Sequence, residues 1–226
     1  MLLLFDIDGT LMLRAADDHR DAVYAAVRRV WHVRRPEEAR VEVAGRTDPQ
    51  IARSILLAHG VDAERVDERM PDFKRAAAEE YARRCRSDLR AFVAPGVAEV
   101  LAALAERPGV HLSLVTGNLE PIARLKLGRA GLGEYFERGQ GGFGSDHEDR
   151  TELPAIARAR AGRPGAPYPP ERTVVIGDTP LDVACARADG VRCLAVATGP
   201  YGVDELGDAD AVVRSARELL PLLLGD

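Results

Sequence analysis

The sequence predicts an α/β fold, with a parallel sheet core flanked by helices and an inserted all-helical cap. Short apolar runs of strand length recur along the 226 residues, and segments with helical periodicity separate them. One long stretch near the start, residues 14–91, has helical pattern but no convincing strand. The alternation predicts the parallel sheet, and the long helical stretch predicts the insertion.

The first predicted strand is the run LLLF at 2–5, and the later ones lie at 110–115, 173–176, 191–197 and 211–213. The first three runs end in polar turns that contain glycine, with the sequences DIDGT, TGN and GDTPLD. Ligands of open α/β sheets bind beyond the carboxyl ends of the strands. We therefore expect these three turns to meet at one site.

The helical insertion is predicted to contain three helices, in DDHRDAVYAAVRRVW, DPQIARSILLAHG and DERMPDFKRAAAEEYARRCRSDL. Asp17 or Asp18 is the expected N-cap of the first helix, and Asp48 that of the second. A further helix opens with Pro95 and Gly96 and leads back into the sheet. The predicted division is therefore a core of residues 1–13 and 92–226 and a cap of residues 14–91.

Composition excludes several classes of function. The formal net charge of −5, from 31 Lys plus Arg against 36 Asp plus Glu, provides no basic field for nucleic acid, so we expect small-molecule partners. The three cysteines are far apart and lack CxxC spacing, which argues against a disulfide framework and a zinc site. No apolar run has the length of a signal peptide core or a membrane span. A cytoplasmic protein is the expectation.

Asp6 and Asp8 lie one residue apart, directly after an apolar strand. Like charges held close together cost free energy unless a cation or a reaction uses them. An EF-hand calcium loop needs a glycine at its sixth position and a glutamate at its twelfth. Counted from Asp6, Gly9 is at the fourth position and Asp17 at the twelfth, so a calcium loop does not fit. The alternatives are a simple turn and a nucleophile beside a proton donor, since carboxylates form aspartyl-phosphates in phosphoryl transfer.

The other two turns add phosphate and metal ligands. Thr116 offers a hydroxyl, and the backbone N–H groups around Gly117 and Asn118 open the following helix, an arrangement that suits phosphate. Asp178 and Asp182 end the third run. Taken singly, each turn has an ordinary explanation as a helix cap. Together with the first acidic pair they form a cluster that needs a divalent cation, and oxygen ligands indicate Mg²⁺.

These three motifs, Asp6 to Thr10, Thr116, and Gly177 to Asp182, resemble those of the haloacid dehalogenase superfamily of phosphohydrolases. The helical insertion resembles the C1-type cap of its phosphoglycolate-phosphatase-like members. The resemblance implies a Rossmann-like core, with Asp6 as nucleophile and Asp8 as general acid and base. It also implies metal binding by Asp178, the Asp6 carboxylate and the Asp8 backbone carbonyl, with Asp182 as an auxiliary acid. Substrate contacts are expected at Gly9, Thr10, Gly117 and Asn118.

One motif departs from that pattern. The family normally has a lysine ahead of its last motif, and SDHEDRTELPAIARA contains none. Arg150 stands where that lysine is expected, and a guanidinium can hold phosphoryl oxygens and balance the charge of Asp6. Lys126 is the alternative, although its place on a helix predicts a solvated side chain. We expect Arg150 to be the cation of the site.

The loop AGRTDPQ, residues 44–50, lies in the predicted cap. Because a cap touches the part of the substrate that is not phosphate, Arg46 is a candidate contact for a carboxylate or another polar group. The alternative is a turn at Gly45 followed by a helix that Thr47 or Asp48 caps. The later GQGGFG pattern lacks the strand and helix of a dinucleotide site and predicts a flexible loop.

The function predicted from these residues is hydrolysis of a small organic phosphate monoester, with a phosphoglycolate-like molecule as the guess from resemblance. A sugar phosphomutase would keep every motif and remains an alternative. A dehalogenase is disfavoured because carbon–halogen displacement needs neither a metal nor the acid at Asp8. A phosphoacceptor signalling module is the alternative from another class, and the presence of Asp8 and of a cap argues against it.

Overall fold

The computed structural model describes residues 1–225, which contain one six-stranded sheet in the order β3-β2-β1-β4-β5-β6. Every neighbouring pair of strands is parallel. The strands are β1 (Leu2–Phe5), β2 (His111–Thr116), β3 (Gly142–Phe143), β4 (Thr173–Gly177), β5 (Arg192–Val196) and β6 (Ala211–Val213). The predicted α/β fold with a parallel sheet is confirmed.

Eight α-helices accompany the sheet in the described part of the chain. They are α1 (Asp17–Trp31), α2 (Asp48–Ala58), α3 (Ala63–Arg84), α4 (Val97–Ala105), α5 (Glu120–Ala130), α6 (Leu153–Ala161), α7 (Pro180–Ala188) and α8 (Leu219–Leu224). Helices α4 to α7 alternate with strands, because a parallel connection must cross back to the starting end of the sheet. Between β5 and β6 this connection contains only the short 3₁₀ turn Asp204–Leu206, and α8 follows β6.

Strand β1 is the centre of the sheet and is buried on both faces. Leu3 and Phe5 join one apolar cluster, whereas Leu2 and Leu4 join the other. This alternation follows the two-residue period of a strand. Phe5 is in register with Leu114 of β2 and Ile176 of β4, so the turns that follow these three strands begin at the same edge of the sheet.

The helical segment 14–91 contains α1, α2 and α3, and the strands of the sheet lie outside it. Helices α1 and α3 pack side by side, with the rings of Trp31 and Phe73 6.0 Å apart. The N-cap of α2 is Thr47, whose hydroxyl accepts from Gln50 N at 3.2 Å, so the expected cap at Asp48 is one residue too late. The division into a cap and a core stays a prediction.

The GQGGFG stretch is not the flexible loop that the sequence predicts. Gly142 and Phe143 form β3, which pairs with Val115 and Thr116 at the edge of the sheet. A side chain on Gly144 would collide with the Gly117 carbonyl, so the missing Cβ allows this close approach. A strand of two residues is too short to show an alternating pattern, which explains why the sequence does not reveal it.

The three cysteines are buried and unpaired. Among residues 1–225, no helix combines the length and the apolar character that crossing a membrane requires.

Candidate active site

Asp6 and Asp8 lie in the turn that follows β1. Asp6 is 4% exposed, and its backbone N–H donates to the Ile176 carbonyl at 2.9 Å, which extends the pairing of β1 with β4. Gly9 has a φ of +90°, and a Cβ there would collide with the Asp178 carboxylate. The glycine of this motif therefore lets the first turn approach the turn after β4.

The turn after β4 contributes two more buried carboxylates, Asp178 and Asp182. One carboxylate oxygen from each of these residues and one from Asp6 all lie within 4.8 Å of one another. Thr10 Oγ1 donates to Asp178 Oδ1 at 2.9 Å. Thr179 N–H donates to Asp182 Oδ2 at 3.0 Å as part of a capping box that opens α7, and Thr179 Oγ1 donates to the same oxygen at 2.7 Å. These contacts orient the acidic groups before any ligand binds.

A divalent cation fits this donor set. Burial, with the neighbouring carboxylates of Asp6 and Asp182, raises the pKa of Asp178 to about 8. Burial is also the main reason that the pKa of Asp6 is raised to about 6, against the opposing charge of Arg150. A raised pKa means that the ionised form of a carboxylate is poorly stabilised, and a bound cation would stabilise it. Carboxylate oxygens are hard ligands, of the kind that Mg²⁺ prefers.

Arg150 is the cation beside Asp6. Its Nη2 lies 3.3 Å from Asp6 Oδ1 and also forms an ion pair with Asp182, while Nη1 donates to the Gly45 carbonyl at 2.8 Å. The side chain comes from the short 3₁₀ turn just before α6 and is 5% exposed. It thus links two acidic groups of the sheet edge to the loop that precedes α2.

Lys126 is not the solvated side chain that the sequence predicts. It is fully buried, with Nζ 2.6 and 2.8 Å from the two carboxylate oxygens of Asp8 and 2.8 Å from Asn118 Oδ1. Burial would raise the pKa of Asp8, but the ammonium of Lys126, with smaller contributions from His19 and Asn118, outweighs it and lowers that pKa from its ordinary value. The sequence did contain a signal, because Lys126 falls within the buried stripe of α5, which comprises Ile122, Ala123, Leu127 and Ala130.

Asn118 organises the turn after β2. Its Nδ2 donates to Asp8 Oδ2 at 2.9 Å and lies 3.1 Å from Thr116 Oγ1. Thr116 is fully buried and is absent from the cavity lining, to which Gly117 and Asn118 contribute. The hydroxyls of Thr10 and Thr116 therefore support neighbouring site residues in this structure, and direct contact of either with substrate stays a prediction.

A cavity of about 320 Å³ opens in front of these groups. The sheet edge supplies Asp6, Asp8, Asp178 and Arg150 to its wall. The helical segment 14–91 supplies a second wall, made of Ala16, His19, Arg20, Val23, Tyr24, Val43, Ala44, Gly45, Arg46, Asp48 and Ile51. A ligand in this cavity would touch both parts of the chain.

Arg46 reaches the cavity from the loop ahead of α2. Its Nη2 lies 3.4 Å from Glu42 Oε2, and its buried Nε has no hydrogen-bond partner within residues 1–225. A buried donor without a partner costs free energy, and a ligand acceptor would recover it.

His19 and Asp48 are two cavity residues that the sequence analysis did not identify as functional. Both are buried, and His19 Nε2 lies 3.1 Å from Asp48 Oδ2. His19 falls on the buried face of α1 with Ala22, Val23 and Ala26, so its helical position was the available signal. A histidine on that face has no distinctive pattern in the sequence alone.

Comparisons with known proteins identify the family. The family model for haloacid dehalogenase-like hydrolase matches residues 3–187. The plasmid phosphoglycolate phosphatase of Cupriavidus necator is 33% identical, over 98% of this chain and 92% of the relative. The phosphoglycolate phosphatase of Pseudomonas savastanoi pv. phaseolicola is 29% identical, over 97% of this chain and 78% of the relative.

Solved structures share the fold at lower identity. CbbY from Rhodobacter sphaeroides, in complex with phosphate, superimposes with a TM-score of 0.64 at 21% identity, over 96% of this chain and 95% of that chain. A hydrolase from Pseudomonas syringae gives a TM-score of 0.61 at 21% identity, over 99% and 98% of the two chains. At this identity the likeness concerns the fold.

Proposed function

The chain belongs to the haloacid dehalogenase-like hydrolase family, and from that membership we propose that it is a magnesium-dependent phosphatase for a small organic phosphate monoester. The observation that carries the proposal is the pairing of two neighbouring carboxylates with two different buried cations. Asp6 lies 3.3 Å from Arg150, and Asp8 lies 2.6 Å from Lys126. One carboxylate can then act as a nucleophile while the other handles a proton.

In the proposed first step, a carboxylate oxygen of Asp6 attacks phosphorus and the bond from phosphorus to the ester oxygen breaks. Asp8 passes a proton to the leaving oxygen, so an alcohol departs and an aspartyl-phosphate remains on Asp6. Because Lys126 lowers the pKa of Asp8 in the free chain, Asp8 takes up this proton only once the negative charge of the phosphate has entered beside it. Lys126 and Asn118 both contact the Asp8 carboxylate, which supports a fixed direction for that proton transfer.

In the proposed second step, water attacks the same phosphorus. Asp8, now a carboxylate, takes a proton from the water, and the bond between phosphorus and the Asp6 oxygen breaks to release phosphate. Asp8 thereby regains its proton and Asp6 regains its charge. One residue serves as acid and then as base because the second step reverses the proton movement of the first.

Positive charge must balance the transferring phosphoryl group. Arg150 supplies it beside Asp6, and the N-terminus of α5, which begins just after Gly117 and Asn118, adds the positive end of a helix dipole. Asp6, Asp178 and the Asp8 backbone carbonyl are the groups that would hold Mg²⁺. When bound, the ion adds positive charge that favours the ionised form of Asp6 and offsets the charge of a phosphate dianion.

The proposed substrate is a small phosphate ester with a second polar or anionic group, of the phosphoglycolate class that the relatives' names indicate. Arg46 and its unpartnered Nε support this choice. In this proposal residues 14–91 act as a cap over a core of residues 1–13 and 92–226. The volume of about 320 Å³ suits a small ester.

The test of the function is a panel of phosphate esters incubated with the chain and Mg²⁺, with separate detection of free phosphate and of isomerised sugar phosphate. We expect free phosphate, fastest from small esters that carry a carboxylate. Isomer without phosphate would indicate a sugar phosphomutase instead. A covalent phosphoenzyme that persists without turnover would indicate a phosphoacceptor module.

Replacement of Arg150 tests the cation beside Asp6. Arg150→Ala is expected to lower kcat/KM roughly 10²- to 10³-fold, because a donor aimed at the transferring oxygens is lost. Arg150→Lys should recover part of that loss, since it returns the charge without the bidentate geometry.

The matched control for Arg150 is Arg158→Ala. Arg158 forms a bidentate pair with Asp189 at 2.6 and 2.7 Å, on α6 and outside the cavity lining. The control variant should lose stability while its kcat/KM stays near that of the wild type. Equal loss of kcat/KM in the two variants would mean that Arg150 acts only through folding.

Arg46 tests the contact with the non-phosphate part of the substrate. Arg46→Ala should raise KM for a carboxylate-bearing ester far more than for a simple aryl phosphate, because only the former offers an anionic group to the guanidinium. Arg40→Ala, an exposed arginine of the same segment, is the control and should leave both KM values unchanged. A similar rise for both esters would show that Arg46 contacts the phosphate or supports the loop.

A further inference from the structure

His19 connects the helical segment 14–91 to the acid–base side of the cavity. It lies in α1 and is 8% exposed. Its Nδ1 lies 3.2 Å from Lys126 Nζ, and its Nε2 lies 3.1 Å from Asp48 Oδ2. The Tyr81 ring of α3 packs against it edge to face, with ring centroids 5.6 Å apart. Each nitrogen of the imidazole therefore has a defined partner.

The two partners determine which nitrogen carries the proton. An ammonium group can only donate hydrogen bonds. His19 Nδ1 must therefore accept from Lys126, which means that Nδ1 carries no hydrogen. Nε2 then carries the hydrogen and donates it to the Asp48 carboxylate. This assignment comes from the hydrogen-bond network, and it makes His19 a neutral acceptor for a buried cation.

Asp48 is itself held by the turn after β2. Its Oδ2 accepts from Leu119 N at 2.8 Å, and its backbone N–H donates to the Gly117 carbonyl at 2.8 Å. The same turn carries Asn118, which contacts both Asp8 and Lys126. The orientation of His19 is therefore set relative to the groups that surround Asp8.

Lys126 uses all three of its N–H donors in this network. The acceptors are the Asp8 carboxylate, Asn118 Oδ1 and His19 Nδ1. If His19 is removed, one donor of a fully buried ammonium loses its partner, which is costly for a buried charge. The ammonium then moves toward its other acceptors or toward solvent, and the direction of the Asp8 carboxylate changes with it.

We propose that His19 is a positioning residue for Asp8, that it acts through Lys126, and that Asp48 fixes its imidazole. The inference rests on the proposed function, because it assumes that Asp8 transfers a proton. It assigns to the helical segment a part in the chemistry besides substrate contact. Proton transfer to the leaving oxygen is then efficient only when α1 packs against Lys126.

The test measures the first chemical step alone, as phosphoenzyme formation in a single turnover by rapid quench. Two substrates are compared: the alkyl phosphate of the ester panel that the wild type hydrolyses fastest, and p-nitrophenyl phosphate. An alkoxide leaving group needs a proton from Asp8, whereas a nitrophenolate hardly does. His19→Ala should slow the alkyl reaction roughly 10- to 100-fold and the aryl reaction far less, with little change in KM for either ester.

Two conservative variants separate positioning from support of the fold. The amide oxygen of His19→Asn can occupy the place of Nδ1 and accept from Lys126, so this variant should recover most of the alkyl rate. The amide nitrogen of His19→Gln can occupy the place of Nε2 and donate to Asp48, so it should remain as slow as His19→Ala. Recovery by glutamine and not by asparagine would overturn the proposal, because His19 would then serve only to hold Asp48.

His59→Ala provides the control, since His59 is an exposed histidine at the end of α2. It should match the wild type with both esters. Equal slowing of the alkyl and aryl reactions in His19→Ala, with a working wild type, would overturn the role of His19 and leave the proposed function intact. A wild type that forms no phosphoenzyme from either ester would contradict the proposed function itself.

Discussion

Asp6→Asn should abolish both turnover and the covalent phosphoenzyme, with a loss of roughly 10⁴- to 10⁶-fold, as is typical when a nucleophile is removed. An amide of nearly the same shape cannot attack phosphorus as a carboxylate does. The fold should survive, because the turn is also held by its backbone, for example by the bond from Asp6 N to the Ile176 carbonyl at 2.9 Å. The measurements are steady-state turnover and acid-quenched labelling with ³²P.

Asp8→Asn is the informative partner of that variant. It keeps the nucleophile but loses the group that activates water, so p-nitrophenyl phosphate should still label Asp6 while hydrolysis of the phosphoenzyme nearly stops. Labelled protein should therefore accumulate in Asp8→Asn and be absent from Asp6→Asn. If Asp6→Asn retained near-normal turnover, or if the label mapped to another residue, the nucleophile would be wrongly assigned.

Removal of divalent metal should also eliminate activity. The buried carboxylates of Asp6, Asp178 and Asp182 approach within 4.8 Å of one another, and burial together with the charges of Asp6 and Asp182 raises the pKa of Asp178. We expect a chelator to stop phosphate release from any ester, Mg²⁺ to restore it, and Ca²⁺ to restore it poorly because Ca²⁺ prefers a looser and higher coordination. Full activity in excess chelator would contradict the proposed mechanism.

Thermal unfolding provides a measure of the same site that does not depend on turnover. A ligand that binds only the folded chain raises its Tm, so Mg²⁺ should raise the Tm of the wild type. Asp178→Asn should lose most of that increase. Asp210→Asn should keep it, because Asp210 accepts from Cys193 N at 2.8 Å and does not belong to the acidic cluster.

The fold could be predicted because its signals are local. The run LLLF at 2–5 became β1 with the same bounds, and the apolar run 211–213 became β6. A buried parallel strand is a continuous apolar run, which a few residues are enough to express. Strand β3 escaped prediction because its two residues, Gly142 and Phe143, are held by close backbone packing rather than by an apolar pattern.

The acidic residues of the candidate site could be identified for a related reason. Asp6 and Asp178 each follow directly on a strand, and parallel strands end at one edge of the sheet. Knowing the strands was therefore enough to expect these carboxylates near one another. Their catalytic and metal-binding roles stay predictions.

The cations were harder to predict. Arg150 was expected beside Asp6 from its place in the chain, and the structure has the two side chains 3.3 Å apart. Lys126 was expected in solvent, which is wrong, since the side chain is fully buried against Asp8. His19 of α1 lies against it at 3.2 Å, and no pattern within α5 states which residues of the rest of the chain will pack on a given face.

The sequence by itself determined the α/β class, the helical character of residues 14–91 and the identity of the acidic residues, because each follows from patterns a few residues long. Only the tertiary structure decided which cationic side chain lies against which carboxylate. Lys126 and Asp8 are 118 residues apart in the chain, and His19 and Lys126 are 107 apart. Their contacts exist because the sheet and the helical segment pack together, and burial then makes each unpaired charge costly enough that its partner must be present.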